Sequence, residues 1–284
     1  MLTGIILGII AMFCFGSIEI ALKKVSQRLG TIATVLYRGI FVLVTLFLFM
    51  FFTQQKLMLS WEIFGWSLLC SFFGSIAFFS FTHALKIGKV SLVSPIAHGS
   101  AAITVLLAVL FYQEQLSAFQ GLGILLVIVG TAFVSFKWQE LRMMHTKDFA
   151  LGLPYALITF FAWGITFFLY KIPVELAGPM TAAILLDGFL FLAMILALFF
   201  SEKIFLPTKK EWGMLAFIGV FSGIAVTCLS YGFSLDLISM VTPIVYASPL
   251  VTILLARHFL EEKLALNQYL GIMSIIIGIL LLAF

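Results

Sequence analysis

The chain has 284 residues, of which 63% are apolar and only 10% charged, against roughly 45–50% and 25% in soluble domains. This excludes an ordinary water-soluble globular protein. The net charge of +4 reads as basic anchoring beside membrane spans, so a lipid bilayer is expected around the chain and no nucleic acid as partner.

The first apolar run is roughly Leu2 to Leu22, closed by Lys23, Lys24 and Arg28. A secretory signal needs a basic stretch before such a run and a small-residue cleavage site after it; neither is found, so the run reads as a membrane span. About 20 apolar residues cross the hydrocarbon. On that measure further spans lie near Ile32 to Phe52, Glu62 to Leu85, Val90 to Tyr112 and Ser117 to Phe136. Residues 137–148 are the longest polar-rich stretch and read as a linker between two units, residues 1–136 and 149–284. The second unit continues near Phe149 to Tyr170, Met180 to Phe200, Glu211 to Ser234, Ile238 to Phe259 and Ala265 to Phe284, which makes ten spans. Cys14, Cys70 and Cys228 each fall inside an apolar run without CxxC spacing and read as small core residues.

The two units are copies. Ser91-Leu-Val-Ser-Pro95-Ile96 and Ser239-Met-Val-Thr-Pro243-Ile244 lie 148 residues apart, and at that offset Thr104 meets Thr252, Glu114 meets Glu262, Gln120 meets Gln268, Gly123 meets Gly271 and Gly130 meets Gly278. Chance similarity of apolar segments explains matched Leu and Ile but not Pro, Glu, Gln and Gly in register. The match reaches the first helices, where Gly4 meets Gly152, Phe15-Gly16 meets Trp163-Gly164 and Lys23 meets Lys171. One residue of slack then aligns Arg38-Gly39 with Asp187-Gly188. Five spans per unit is an odd number, so the second unit enters the membrane from the opposite side. The predicted fold class is an all-α polytopic membrane protein, ten transmembrane helices forming two inverted five-helix repeats.

Nearly all Lys and Arg fall in the connections after odd-numbered spans; the opposite side holds only Lys56 and Lys171. The positive-inside rule then places both termini outside the cytoplasm, with a bacterial inner (plasma) membrane the expected location.

Two five-helix inverted repeats, each with a Pro early in its fourth helix, a Glu-x-Leu turn and a Gly-spaced fifth helix, resemble the EamA-type branch of the drug/metabolite transporter superfamily. The residues that carry the resemblance are Ala84-Leu85-Lys86, Pro95, Glu114-Gln115-Leu116, Gly123 and Gly130, with Pro243, Glu262-Lys263-Leu264, Gly271 and Gly278 in the second half. The resemblance implies a permease working on small molecules. Small four-helix multidrug exporters of the same superfamily carry a proton-binding Glu eight residues before the Lys that ends helix one. Here that count reaches Phe15 from Lys23 and Trp163 from Lys171, and Glu19 stands a turn closer to Lys23.

Arg38 and Asp187 are the leading site candidates, because a charge inside an apolar span costs at least about 2.5–3.5 kcal/mol on insertion scales. Either they face a central cavity, paired or receiving the carboxylate and amine of a zwitterion, or they sit near helix ends with Arg38 snorkelling to the interface. His98 and Tyr246 are repeat equivalents three residues after Pro95 and Pro243. Pro removes a backbone hydrogen bond, and broken helices of this kind point to transporter binding sites; Pro249 adds a further break. The alternative keeps Pro95 and Pro243 in first turns, where they disturb little.

Phe15 and Trp163 are candidate aromatic walls or plain packing residues, and Glu19 is a candidate ion or proton site or an i,i+4 partner of Lys23. His83 and Tyr231 read as interfacial. Glu114 and Glu262 read as complements to the N-termini of the helices that follow them, and the glycine spacings as close helix approaches.

No nucleotide-binding G-x-x-x-x-G-K-[ST], no H-E-x-x-H, no G-x-S-x-G and no Cys/His metal spacing occurs. The expectation is a secondary transporter that needs no cofactor or metal and is not an enzyme, alternating access about a central cavity. Its partner would be a small-molecule substrate, an amino acid or related zwitterion being the first reading and multidrug or organic-cation export the second. A non-transporting membrane scaffold or a membrane-embedded enzyme is the reading from another class. Oligomeric state is left open, and a monomer suffices.

Overall fold

The computed structural model describes residues 2–135, 146–199, 205–260 and 264–284. Most of the expected linker at 137–148, together with Glu262 and Lys263, lies outside them.

The first helix, α1, spans Leu2–Leu29 and α2 spans Thr31–Phe52. The run therefore does not stop at Lys23: a helix accommodates cations in its last turns, where they complement its negative end. Gly30 ends it, at φ 84°, a left-handed conformation that costs a residue without Cβ little. Its repeat equivalent Gly178, at φ 80°, ends the helix over Thr146–Ala177 in the same way. In the first half α3 spans Trp61–Ile87, α4 Val90–His98, α5 Ala101–Phe111 and α6 Ala118–Ser135. In the second α7 spans Thr146–Ala177, α8 Pro179–Leu198, α9 Lys209–Leu235, α10 Ile238–Tyr246, α11 Pro249–Leu260 and α12 Leu266–Leu281.

The fourth span of each half is thus two short helices. Pro95 and Pro243 lie inside α4 and α10 rather than in their first turns. Each helix survives its Pro and breaks about one turn later, at Gly99-Ser100 and Ala247-Ser248. There tighter i→i+3 bonds replace the helical ladder, Ser100 N donating to Ala97 O and Ser248 N to Val245 O, both at 3.2 Å. Among the described residues nine segments are long and apolar enough to cross a membrane, and the tenth, Leu266–Leu281, is shorter. At about 1.5 Å per residue its 16 residues reach some 24 Å, and its partner α6, with 18 residues, is nearly as short. Local thinning of the bilayer accommodates such a pair.

Packing follows the duplication. α1 lies on α9 as α7 lies on α3, α2 on α9 as α8 on α3, and α10 on α1 as α4 on α7; α2 meets α8 and α6 meets α12. The halves are therefore interleaved. The α6–α12 pair displays the inversion: a Cβ on Gly123 would lie 2.8 Å from Gly278 O, and one on Gly130 2.9 Å from Gly271 O. Equivalent helices meeting residue for residue in reverse order run antiparallel about an axis perpendicular to both, an axis in the membrane plane. Small residues permit that approach where lipid offers no hydrophobic drive to helix association. Large side chains such as Phe51, Phe161, Leu196 and Leu280 are exposed on the outside, as a lipid-facing surface requires.

Candidate functional site

At the pseudo-axis the interleaved helices leave a cavity of about 90 Å³. Repeat equivalents line it in pairs: Phe15 with Trp163, Glu19 with Phe167, Phe78 with Val226, Phe81 with Leu229, His98 with Tyr246, and Arg38 with Asp187. The duplication thus explains where the cavity is. All seven side chains singled out in the sequence for binding or coupling, Arg38, Asp187, His98, Tyr246, Trp163, Phe15 and Glu19, are on its wall.

Arg38 and Asp187 close the axis from α2 and α8. Arg38 Nη2 donates to Asp187 Oδ1 at 3.3 Å, with side-chain exposures of 3% and 6%. Arg38 does not snorkel. Its guanidinium carbon stands 3.8 Å from the centroid of Phe78, a cation–π contact strengthened by the lack of water. Its Nε is buried without a hydrogen-bond partner among the described residues, so this polar group has unused capacity beside the cavity.

His98 and Tyr246 arrive from the ends of α4 and α10, where the helix breaks bring them to the axis. Their rings are 5.6 Å apart, edge to face, and Trp163 lies 4.7 Å from Phe81 and 5.8 Å from Tyr246. The Tyr246 hydroxyl is buried without a hydrogen-bond partner among the described residues. The breaks are held by the first helix of the opposite half. Thr252 Oγ1 donates to Gly16 O at 2.8 Å and Thr104 Oγ1 to Gly164 O at 3.1 Å. A Cβ on Gly16 or on Gly164 would press on the carbonyl of Ser248 or of Ser100.

Glu19 differs from one sequence expectation. Lys23 does not pair with it but turns to Gly88 O, 2.9 Å away, because Glu19 faces inward at 2% exposure. Its Oε2 accepts from Ser94 Oγ at 3.1 Å, and its Oε1 lies 3.2 Å from His98 Nε2 outside hydrogen-bond alignment. Glu114 also differs. Its carboxylate accepts from Ile238 N at 3.2 Å, Ser239 N at 3.1 Å and the Ser239 hydroxyl, and pairs with Lys171 at 3.1 Å. It therefore caps α10 of the opposite half and not α6, which follows it. Gln120 does the local work, its Oε1 accepting from Ser117 N at 3.0 Å.

Away from the cavity, His83 Nδ1 is 3.1 Å from Thr31 Oγ1, and Tyr231 accepts a hydrogen bond from Gln55 Nε2 at 2.7 Å. The residues that sequence reasoning missed are Ser94, Ser248, Phe78 and Phe81. Only Ser94 carried a signal, since it stands one turn before His98 on the same helix face.

The family model of the EamA-like transporter family matches this chain twice, over residues 2–136 and 150–284. The chain belongs to that family. A comparison with curated proteins gave no match. One solved structure, described only as "Crystal structure of protein", is similar with a TM-score of 0.79 at 16% identity, covering 98% of this chain and 95% of its own; it speaks for the fold alone. As an EamA-like protein with this many apolar helices, the chain is an integral, multi-pass membrane protein, and the cavity lies where the two EamA units meet.

Proposed function

We propose that this EamA-like protein is a secondary transporter of small amphipathic zwitterions, amino acids or close relatives, through the axial cavity. The observation that carries the reading is the Arg38–Asp187 pair, one cation and one anion from equivalent positions of inverted repeats, buried beside an aromatic wall. Arg38 would meet the cargo's carboxylate and Asp187 its ammonium, His98 and Tyr246 would orient it, and Phe15, Phe78 and Trp163 would face its apolar part. A cavity of about 90 Å³ is well below the roughly 300–1,000 Å³ of ligand pockets. Loading then requires the halves to part on one side, as in alternating access. The breaks after Pro95, Pro243 and just before Pro249 give the fourth spans a place to bend. The Lys and Arg distribution supports insertion in an inner membrane with the termini outside.

The second reading, export of apolar organic cations, is favoured by the same aromatic wall. Thermal stabilisation across a panel of amino acids, nucleosides, sugars and organic cations separates the two, because a ligand of the folded state raises its melting point. The zwitterion reading expects a shift with an amino acid that disappears in Arg38→Ala. A shift confined to organic cations and kept in Arg38→Ala would replace it with the second.

A further inference from the structure

At the basic end of the molecule a second, open cavity of about 580 Å³ lies between the last turns of α1 and the first turns of α9. Three cations line it, Lys24 and Arg28 from α1 and Lys210 from α9, against one carboxylate, Glu211. Glu211 is committed inside the protein: it is 8% exposed, pairs with Arg28 and accepts from Thr208 N at 2.7 Å in the box that caps α9. Arg28 engages its partners through Nη1 and keeps a half-exposed side chain, so the remaining donors of its guanidinium are left for another acceptor. Lys24 and Lys210 are exposed and have no partner among the described residues. The cavity is left with an excess of two positive charges.

The fold does not ask for these cations. At the offset of 148 residues Lys24, Arg28, Lys210 and Glu211 correspond to Ile172, Leu176, Glu62 and Ile63 in the other half. The helix start is capped there as well, Ser60 Oγ accepting from Ile63 N at 3.2 Å, and α3 packs on α7 as α9 packs on α1. Apolar and acidic residues therefore serve the same junction. Three cations gathered at one cleft repel one another unless an anion joins them. General attraction of basic residues to one face of a membrane explains their sign, but not their convergence from helices of different halves. The surroundings favour a lipid over a soluble anion. Trp212, two residues after Lys210, has its ring 5.3 Å from Tyr37 and 6.1 Å from Phe41, and such rings settle at headgroup level. Phe205 and Leu206, just before α9, are 51% and 78% exposed, while Val25 and Met214 line the cavity about one turn nearer the membrane centre.

We propose that this cavity binds the phosphate headgroup of an anionic phospholipid, held by Lys24, Arg28 and Lys210, with Val25, Met214, Phe205 and Leu206 beside the glycerol and acyl carbons. Basic pockets between membrane helices recognise such headgroups through the same combination of charge and interfacial depth. The lipid joins the end of α1 to the start of α9, helices of different halves. The site is independent of the axial cavity and of what passes through it.

Native mass spectrometry of protein released from mixed micelles of phosphatidylglycerol and phosphatidylcholine, whose headgroups differ in net charge, reads the site. Wild type should retain one phosphatidylglycerol in preference to phosphatidylcholine. Lys24→Gln/Lys210→Gln should weaken that retention about thirtyfold, each cation near the headgroup contributing roughly fivefold. Lys86→Gln/Arg257→Gln, which removes two cations that do not line the cavity, should leave it unchanged. Equal losses in the two double variants would reduce the effect to diffuse surface charge and overturn the site. So would a wild type that holds both lipids equally, an outcome that needs no variant. Melting temperature in phosphatidylcholine nanodiscs separates lipid from free anion, because a ligand of the folded state raises it. Phosphatidylglycerol added to the discs should raise it, and inorganic phosphate should not. A shift with inorganic phosphate as large as with the lipid would overturn the lipid assignment and leave a site for a soluble phosphate.

Discussion

A single buried charge has no support inside this molecule, and Arg38 and Asp187 show why both must be present. Each is almost wholly buried, and removing one partner of such a pair leaves an uncompensated charge, at a cost of about 3–5 kcal/mol. Arg38→Leu and Asp187→Leu should each lower the melting temperature in detergent and abolish transport. The double Leu variant should recover most of the stability and none of the transport, since the cargo has lost both its partners. Transport recovered in the double variant would mean that the charges serve only each other. At this scale the sequence was informative where a residue type is costly in an apolar span: Arg38, Asp187, His98 and Glu19 stood out on those grounds. Phe78 and Ser248 did not, because Phe and Ser occur throughout membrane helices and only packing decides which of them face the axis. The partner of Glu19 was misread for a related reason. Lys23 is its neighbour along the helix, whereas Ser94, which donates to it, comes from another helix, and burial favoured the distant partner.

Two kinds of element set the geometry, the broken fourth spans and the tight fifth ones. Where α6 meets α12, a Cβ on Gly271 would lie 2.7 Å from the carbonyl of Gly130 and from the backbone nitrogen of Val134, and backbone cannot turn aside. Gly271→Val should destabilise the protein by about 1–3 kcal/mol, the usual cost of overpacking, seen as a lower melting temperature. Equal stability would mean that the helices are farther apart than described. At the other end of the cavity wall, Glu114 holds the first turn of α10, the helix that delivers Tyr246. Glu114→Ala forfeits hydrogen bonds worth about 1.5–3 kcal/mol when a charged group takes part. Hydrogen exchange should then quicken in α10, residues 238–246, before it does in α9, and unchanged protection there would contradict the capping role. Both helix breaks were foreseeable from Pro95, Pro243 and Pro249, but their position one turn beyond Pro95 and Pro243 was not. It depends on Gly16 and Gly164 packing against Ser248 and Ser100, contacts between distant parts of the chain.

As a whole the molecule is a duplicated unit folded against its inverted copy, and most of its cavity wall is made of pairs of equivalent residues. The offset of 148 residues made that architecture readable in advance, since Pro, Gly, Thr and Gln in register fix the helix order and the odd count fixes the inversion. What the offset left open is what the asymmetric positions do, above all Glu19 and His98, which stand where the second half has Phe167 and Tyr246. Orientation in the bilayer can be checked in a background without Cys14, Cys70 and Cys228. Lys56→Cys should react with an impermeant thiol reagent added outside intact cells, and Lys209→Cys only after permeabilisation; the reverse pattern would invert the topology.

The central claim, a zwitterion carried on the Arg38–Asp187 axis, meets its most direct test in counterflow of labelled amino acids into proteoliposomes, wild type beside Arg38→Leu/Asp187→Leu. The account predicts exchange of at least one amino acid by the wild type and none by the double variant of restored stability. Exchange that is equal in both would contradict it.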